Sequence, residues 1–478
     1  MKEQLKKILP RNRFARNVSI LAGGTFAGQA VVVVASPLLT RVYSPEDFGV
    51  LAVYASLLAI MGVIASLRYQ LAIPLPEKDE EAAHVAVLSL LVVLGMTLFT
   101  ALVVAFFRES LAQTFNVPVV ARYLWLLPLG LFLAGIYEVF NCWAIRIKAF
   151  PAIARTKLTQ SLSMVGVQLG GFILGPLALI LGHVSGQAAG NTSLGMLAIR
   201  NQWSLFCNVG LQGVIRASKR YRGFPIFSTW GGAFNMAGTH LPPLLFAASF
   251  SASAAGIYML ANRVLSMPMQ LIGRAISDVF FSNAAEANRN NQLGHLVANI
   301  HEKLAQIAMP PTLVLLLAGP ELFTLIFGPD WRQAGVFTQW MSIYIYFQFI
   351  TSPLSQIISV LEKQLQGALF QTTLMLTQLT GLIIGSLYSS LIISVALFSI
   401  GSAFCYIGFF VWIIKTTKNN WSIILLPIPK SLAWSLPLVS PLIIFHLMNG
   451  NSSLWLISTC LTIALVSIRY FILMKRLF

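Results

Sequence analysis

Three arginines stand where an arginine is expensive, and a fourth stands at an entrance. Arg68, Arg263 and Arg274 lie inside long apolar runs, and Arg41 sits at the mouth between two such runs, beside Glu46 and Asp47. An ionisable side chain at membrane depth is costly unless it faces protein or a water-filled cavity. The guanidinium fork matches the oxygens of a phosphate. A cavity lined by Arg68, Arg263, Arg274 and Arg41 would therefore attract an anionic, phosphate-bearing substrate. Glu138, in GIYEVFNCWAIR, is the other carboxylate well inside a run, placed to pair with a cavity arginine or to carry a coupling proton. Asp278 lies four residues beyond Arg274, on the same helical face, where the two can neutralise each other. Arg274 and Arg469 sit toward the inner ends of their runs, where snorkelling suffices to explain them. Arg68 and Arg263 have no carboxylate within one turn on their own runs.

The elements that must position these groups are membrane helices. The chain has 478 residues, 57% hydrophobic and 10% charged, with a mean hydropathy of +0.77, which excludes a soluble globular domain. No P-loop, GxSxG, HExxH or Asp-rich cluster is present, so neither an enzyme nor a metal or other cofactor is expected. Cys142, Cys207, Cys405 and Cys460 are too scattered for a metal site or a disulfide framework. The basic N-terminus, MKEQLKKILPRNRFAR, leads into a run too long for a cleaved signal and reads as a retained first span.

Apolar runs punctuated by charge, Pro and Gly give fourteen spans, near 17–40, 47–73, 84–107, 120–145, 156–175, 177–199, 224–249, 254–281, 303–319, 336–360, 364–385, 389–414, 424–447 and 453–474. Of the 32 Lys and Arg, only Arg41, Arg108, Arg122 and Arg332 fall on outer segments when the N-terminus is inside. Arg68, Arg263, Arg274 and Arg469 fall within spans, and the other 24 are inner. That bias places both termini in the cytoplasm and accounts for the net charge of +17 without nucleic acid.

A weak repeat lays SPLLTRVYSPEDFGVLAVYA (36–55) on PPLLFAASFSASAAGIYMLA (242–261), which brings Arg68 near Arg274 and Gln70 near Asp278. The expected organisation is a six-helix bundle (1–199), a basic amphipathic cytoplasmic linker (200–223), a second bundle (224–414) and an accessory helix pair (415–478). Pro37, Pro242, Pro243, Pro268 and Pro353 mark kinks suited to moving spans.

The stretch SPLLTRVYSPEDFGVLAVYASL, with ASLRYQLAIPLPEKDEEA after it, resembles the N-terminal signature of bacterial oligosaccharide flippases, the Wzx-type polysaccharide exporters of the MOP superfamily. NCWAIRIKAFPAIARTKLTQSL (141–162), GIYMLANRVLSMPMQLIGRAISDVFFSNAAEA (256–287) and IFGPDWRQAGVFTQWMSIYIYFQFITSPLSQI (326–357) resemble it as well. The resemblance implies two six-helix bundles facing a central cavity, plus two accessory helices, in the bacterial inner membrane. It implies alternating-access movement of an undecaprenyl-diphosphate-linked oligosaccharide for O-antigen, capsule or exopolysaccharide. A polysaccharide polymerase and a chain-length regulator are the partners it suggests, beside membrane lipids. Relatives in that family carry Arg-Tyr-Glu in the second span, whereas this chain reads Arg68-Tyr69-Gln70. If that carboxylate takes part in coupling, this chain has to couple differently or use Glu138.

A MATE-type drug or cation antiporter shares the fold but needs a cavity carboxylate, and spans one and seven contain no Asp or Glu. A lipid II-type flippase is closer in cavity chemistry, and only the motif set favours polysaccharide export. A membrane polymerase or ligase of lipid-linked glycans would need long outer loops.

Overall fold

The computed structural model describes residues 13–417, 425–447 and 452–477, and among them the regular elements are all helices. The basic residues 1–12, which lead the expected first span, lie outside the described residues. Nine helices are long and apolar enough to cross a membrane among those described. The other expected spans also fall on helices, so the protein is a multi-pass membrane protein.

The first compact unit, Met1–Met259, holds α1 (Arg13–Val42), α2 (Pro45–Ile64), α3 (Asp79–Thr114), α4 (Leu126–Arg146), α5 (Phe150–Gly170), α6 (Pro176–Cys207), α7 (Leu211–Arg220) and α8 (Thr229–Ser249). Helix α9 (Ala252–Pro268) begins in it. The starts of these helices are written locally. Ser44 caps α2 in a reciprocal box, with the Asp47 amide donating to Ser44 Oγ at 3.2 Å and the Ser44 amide donating to Asp47 Oδ2 at 2.9 Å. Pro45 supplies a residue that has no N–H to waste there. Asp79, Glu80 and Glu81 open α3, where negative charge complements the helix dipole. The nearly unbroken apolar stretch after residue 156 divides at Gly175–Pro176, as its residues suggest.

Helices α1 and α6 pack on α5, and α3, α4 and α6 pack side by side. Hydroxyl pairs join α5 to α6: buried Thr156 donates to Ser193 at 3.0 Å, and Ser163 to Ser185 at 3.4 Å. Tyr43, between α1 and α2, donates to the Gln168 carbonyl at 2.5 Å. Burial, with Asp47 nearby, pushes its hydroxyl pKa up to about 12.

The second compact unit, Leu260–Phe478, continues with α10 (Arg274–Arg289), α11 (Leu293–Phe327), α12 (Arg332–Thr351), α13 (Gln364–Leu387), α14 (Leu391–Thr416), α15 (Pro427–Leu447) and α16 (Ser452–Leu477). The sequence limits the ninth span to 303–319, yet α11 runs on for 35 residues because its flanks are helix-forming too. Pro320 coincides with a local break at Ala318 (φ −126°). The pairings of α3–α4, α5–α6 and α4–α6 recur as α11–α12, α13–α14 and α12–α14, while α15 packs on α11.

The internal repeat is visible in the backbone. Helices α1 and α8 end 207 positions apart, at Val42 and Ser249, and α2 and α9 begin 207 apart, at Pro45 and Ala252. The same offset relates Gly49 to Gly256. A Cβ at Gly49 would meet the Ala252 backbone, and one at Gly256 would meet the Pro45 carbonyl. Within the first unit, α2 and α9 thus offer each other the same glycine and the same backbone.

Candidate functional site

The sequence expects α2 to run through Arg68 to residue 73. The helix instead ends at Ile64, and Arg68 lies outside it. The chain turns through Ala65–Arg68, with Leu67 (φ 47°) and Arg68 (φ 63°) both left-handed, and then makes one 3₁₀ turn, Tyr69–Ala72. Ser66 Oγ donates to Gln70 Oε1 across this turn. Pro74 and Pro76 prevent any further helix. Two consecutive L-residues in the left-handed region cost roughly 1–2 kcal/mol each, so packing must hold them.

That packing is specific. Tyr69, Ala72 and Ile73 enter a core with Ala82, Val85 and Ala86 of α3 and with Val139 and Trp143 of α4. Beneath them Arg146, at the end of α4, acts as a five-point clamp. Its Nη1 donates to the carbonyls of Ile73 (3.2 Å) and Pro76 (2.7 Å). Its Nη2 reaches the Glu77 carbonyl (3.3 Å) and Asp79 Oδ1 (2.8 Å), and its Nε reaches Asp79 Oδ1 (3.0 Å). The Arg146 side chain is 10% exposed but Asp79 is 53% exposed, so solvent screens the ion pair and the partly buried carbonyl contacts carry more of the clamp.

The turn presents Arg68. Its guanidinium lies against Gly232 of α8, in space that a Cβ there would claim. Its Nε is buried without a hydrogen-bond partner among the described residues. Glu138 and Cys142, one turn apart on α4, are within its electrostatic reach. Glu138 also feels Lys157 of α5, whose ammonium stands 4.8 Å from the Tyr137 ring centroid. None of the described ion pairs involves Arg68, Glu138 or Lys157. A single carboxylate among two cations leaves the cluster formally positive. An orphaned guanidinium N–H has the chemistry to receive an anion.

The remaining sequence-derived candidates separate. Arg41 is exposed in the last turn of α1. The 20 residues of α2 hold it roughly 30 Å from Arg68, at 1.5 Å per residue. Asp47 beside it is spent on the capping box. Gln70 is buried and bonded to Ser66, so it holds the turn from inside. Arg263 sits half-buried in α9. The expected eighth span, 254–281, breaks at the π-helical stretch Met269–Gly273, and Arg274 is the exposed first residue of α10. The side chains of Asp278 and Pro268 lie outside the described residues, and with them the Arg274–Asp278 pairing. Pro268 ends α9, directly before that π-helical stretch. Pro37 is inside α1, where Ser36 donates to the Val32 carbonyl at 2.8 Å and Thr40 to the Pro37 carbonyl at 3.2 Å. Pro243 is buried within α8.

Sequence reasoning missed Lys157, Gly232 and Arg146. Lys157 looks like a flanking charge next to Arg155, yet α5 begins at Phe150 and carries it inward by two turns. Among the described residues no group of His, Cys, Asp and Glu has the arrangement of a metal site.

Residues 38–335 match the family described as "Polysaccharide biosynthesis protein". The chain is 25% identical over 365 residues to the succinoglycan biosynthesis transport protein ExoT of Rhizobium meliloti, covering 72% of this chain and 67% of that one. Among solved structures it is similar to the lipid II flippase MurJ in an inward closed conformation (TM-score 0.74, 13% identity, 96% of this chain and 99% of that one). It is also similar to an inward-facing multidrug resistance MATE family transporter of the MOP superfamily (TM-score 0.61, 13% identity, 84% and 94%). At such identities these two structures speak for the fold.

Proposed function

We propose that this chain, which belongs to the polysaccharide biosynthesis protein family, is a flippase that carries a lipid-linked oligosaccharide across the bacterial inner membrane for surface polysaccharide assembly. The observation that carries this reading is Arg68, held by a strained turn with a buried Nε that has no hydrogen-bond partner among the described residues. A diphosphate linking lipid to sugar supplies what that guanidinium lacks: charge and planar sets of acceptor oxygens. Undecaprenyl diphosphate is the carrier we infer, with O-antigen, capsule or exopolysaccharide as the product class. The likeness to a succinoglycan transport protein favours an exopolysaccharide.

In this reading the chain crosses the membrane fourteen times with both termini in the cytoplasm, and it works by alternating access. Arg68 engages the diphosphate, and Arg263 is a second candidate anion-binding residue. Glu138, set between Arg68 and Lys157, provides charge that substrate or a proton can shift, in place of the carboxylate absent at Gln70. Pro37, Pro243 and Pro268 provide the bends. The cationic character of the cluster opposes a cation antiporter.

The test is genetic. In cells that depend on this chain, Arg68→Ala and Arg263→Ala should each abolish surface polysaccharide while membrane insertion and amount stay normal. Lys replacements should rescue partly, since charge returns without the fork. Normal export by both Ala variants would refute the assignment.

A further inference from the structure

Helix α7 has three faces, and the transport reading uses none of them. The first is packed: Gly213, Val214 and Ala217 are buried against α3. The His84 ring fills the space above Gly213. Arg220 Nη1 holds Glu81 Oε2 at 3.0 Å, and Tyr69 Oη donates to the Ser218 carbonyl at 3.5 Å. The helix is therefore fixed in orientation, and its other two faces are fixed with it.

The second face is apolar and open. Leu211 is 73% exposed and Ile215, one turn on, is 46% exposed. The third face is cationic. Arg216 and Lys219 on it are exposed, as is Arg222 in the turn just past the helix end, and none of the three takes part in a described ion pair. Residues 208–223 contain no Asp or Glu at all. At 100° per residue Leu211 and Ile215 form one stripe, and Lys219 and Arg216 lie along its edge. An apolar stripe bordered by cations is the pattern of a helix lying in a bilayer interface, with aliphatic side chains dipping below headgroup level and cations on the phosphates.

We propose that α7 is a docking surface for the anionic phospholipid headgroups of the leaflet beside which it runs. Charge complementarity selects the occupant: three cations outside every described ion pair meet a sheet of phosphates, and two aliphatic residues meet the acyl boundary. The chain's own spans keep the helix at that boundary. Through Tyr69 and Glu81 a lipid-held α7 also steadies the turn that presents Arg68.

The experiment is amide hydrogen exchange of residues 211–223 in the full chain, in nanodiscs of phosphatidylcholine alone or with phosphatidylglycerol. Exchange should slow about tenfold in the anionic discs, and the slowing should vanish at high salt. In a combined Arg216→Gln, Lys219→Gln and Arg222→Gln variant, exchange should be the same in both discs. That variant keeps Arg220 and the packed face, so its exchange in neutral discs should equal that of the unmodified chain and report an intact fold. Equal exchange of the unmodified chain in both discs would overturn the proposal and leave an acidic protein segment as the occupant. Slowing that survives in the triple variant would overturn it as well. The assay reads lipid contact without transport, so it stands or falls apart from the flippase reading.

Discussion

The helices that begin at Pro45 and at Ala252 occupy the same place in the two halves, and both break near the same register, but they break differently. After Ile64 the chain leaves the helix, passes through two left-handed residues and is clamped by Arg146. After Pro268 it stays helical, widening to a π-turn over Met269–Gly273 before α10 starts at Arg274. One break thus produces a fixed, inward-held guanidinium, and the other an exposed one at a helix start. A π-turn absorbs one extra residue at little cost and is frequent at functional bends. A left-handed pair is a costlier device, which persists only where its surroundings enforce it. On the proposed reading, the first break serves anion binding and the second serves flexing.

Removing both guanidiniums in parallel should break this comparison most sharply. In proteoliposomes loaded with a polyprenyl-diphosphate oligosaccharide, Arg68→Ala should slow transport at least tenfold, as expected from losing a charge-assisted contact of about 1.5–3 kcal/mol. Arg274→Ala, at an exposed site, should change it by no more than about twofold. Equal losses would erase the distinction.

Next in size is the clamp. Arg146→Ala strips the Ile73 and Pro76 carbonyls of their donor, an expected loss of about 1–3 kcal/mol. Amide exchange over 66–79 should accelerate accordingly, while the second break, over 265–276, should be unaffected. A smaller effect is expected at Gly232→Ala, whose methyl group would displace the Arg68 guanidinium. Transport should fall by about tenfold at most, with no further fall in an Arg68→Ala background. Additive losses would show that Gly232 acts elsewhere. The smallest change is Leu67→Gly, where relief of left-handed strain is offset by a freer unfolded chain and by lost packing of Leu67 on the core, for a net change within about 1 kcal/mol in thermal unfolding.

Much of the architecture was legible because membrane helices announce themselves by length and apolarity. The division at Gly175–Pro176 and the repeat around Pro45 and Ala252 were legible through their breakers. The end of α2 was not, since residues 48–73 carry no charged or amide side chain apart from Arg68 and Gln70, and only Pro74 and Pro76 hint at a turn. What stops the helix is tertiary: Tyr69 and Ile73 packing on α3 and α4, with Arg146 reaching from 73 positions away. The site was half legible. Arg68 and Glu138 stand out as charges in apolar runs, and they do come together. Gln70 draws attention as a polar residue in the same run, but its amide is consumed locally by Ser66. Gly232 carries no sequence signal, because its role is an absence of atoms.

The central claim is that the Arg68 turn is built to hold a diphosphate. It is tested most directly by titrating undecaprenyl diphosphate into the purified chain in nanodiscs and measuring Kd for the unmodified protein, Arg68→Ala and Arg274→Ala. The account predicts roughly 10- to 150-fold weaker binding for Arg68→Ala, with the Arg274→Ala and unmodified values alike. Undiminished affinity in Arg68→Ala would contradict it.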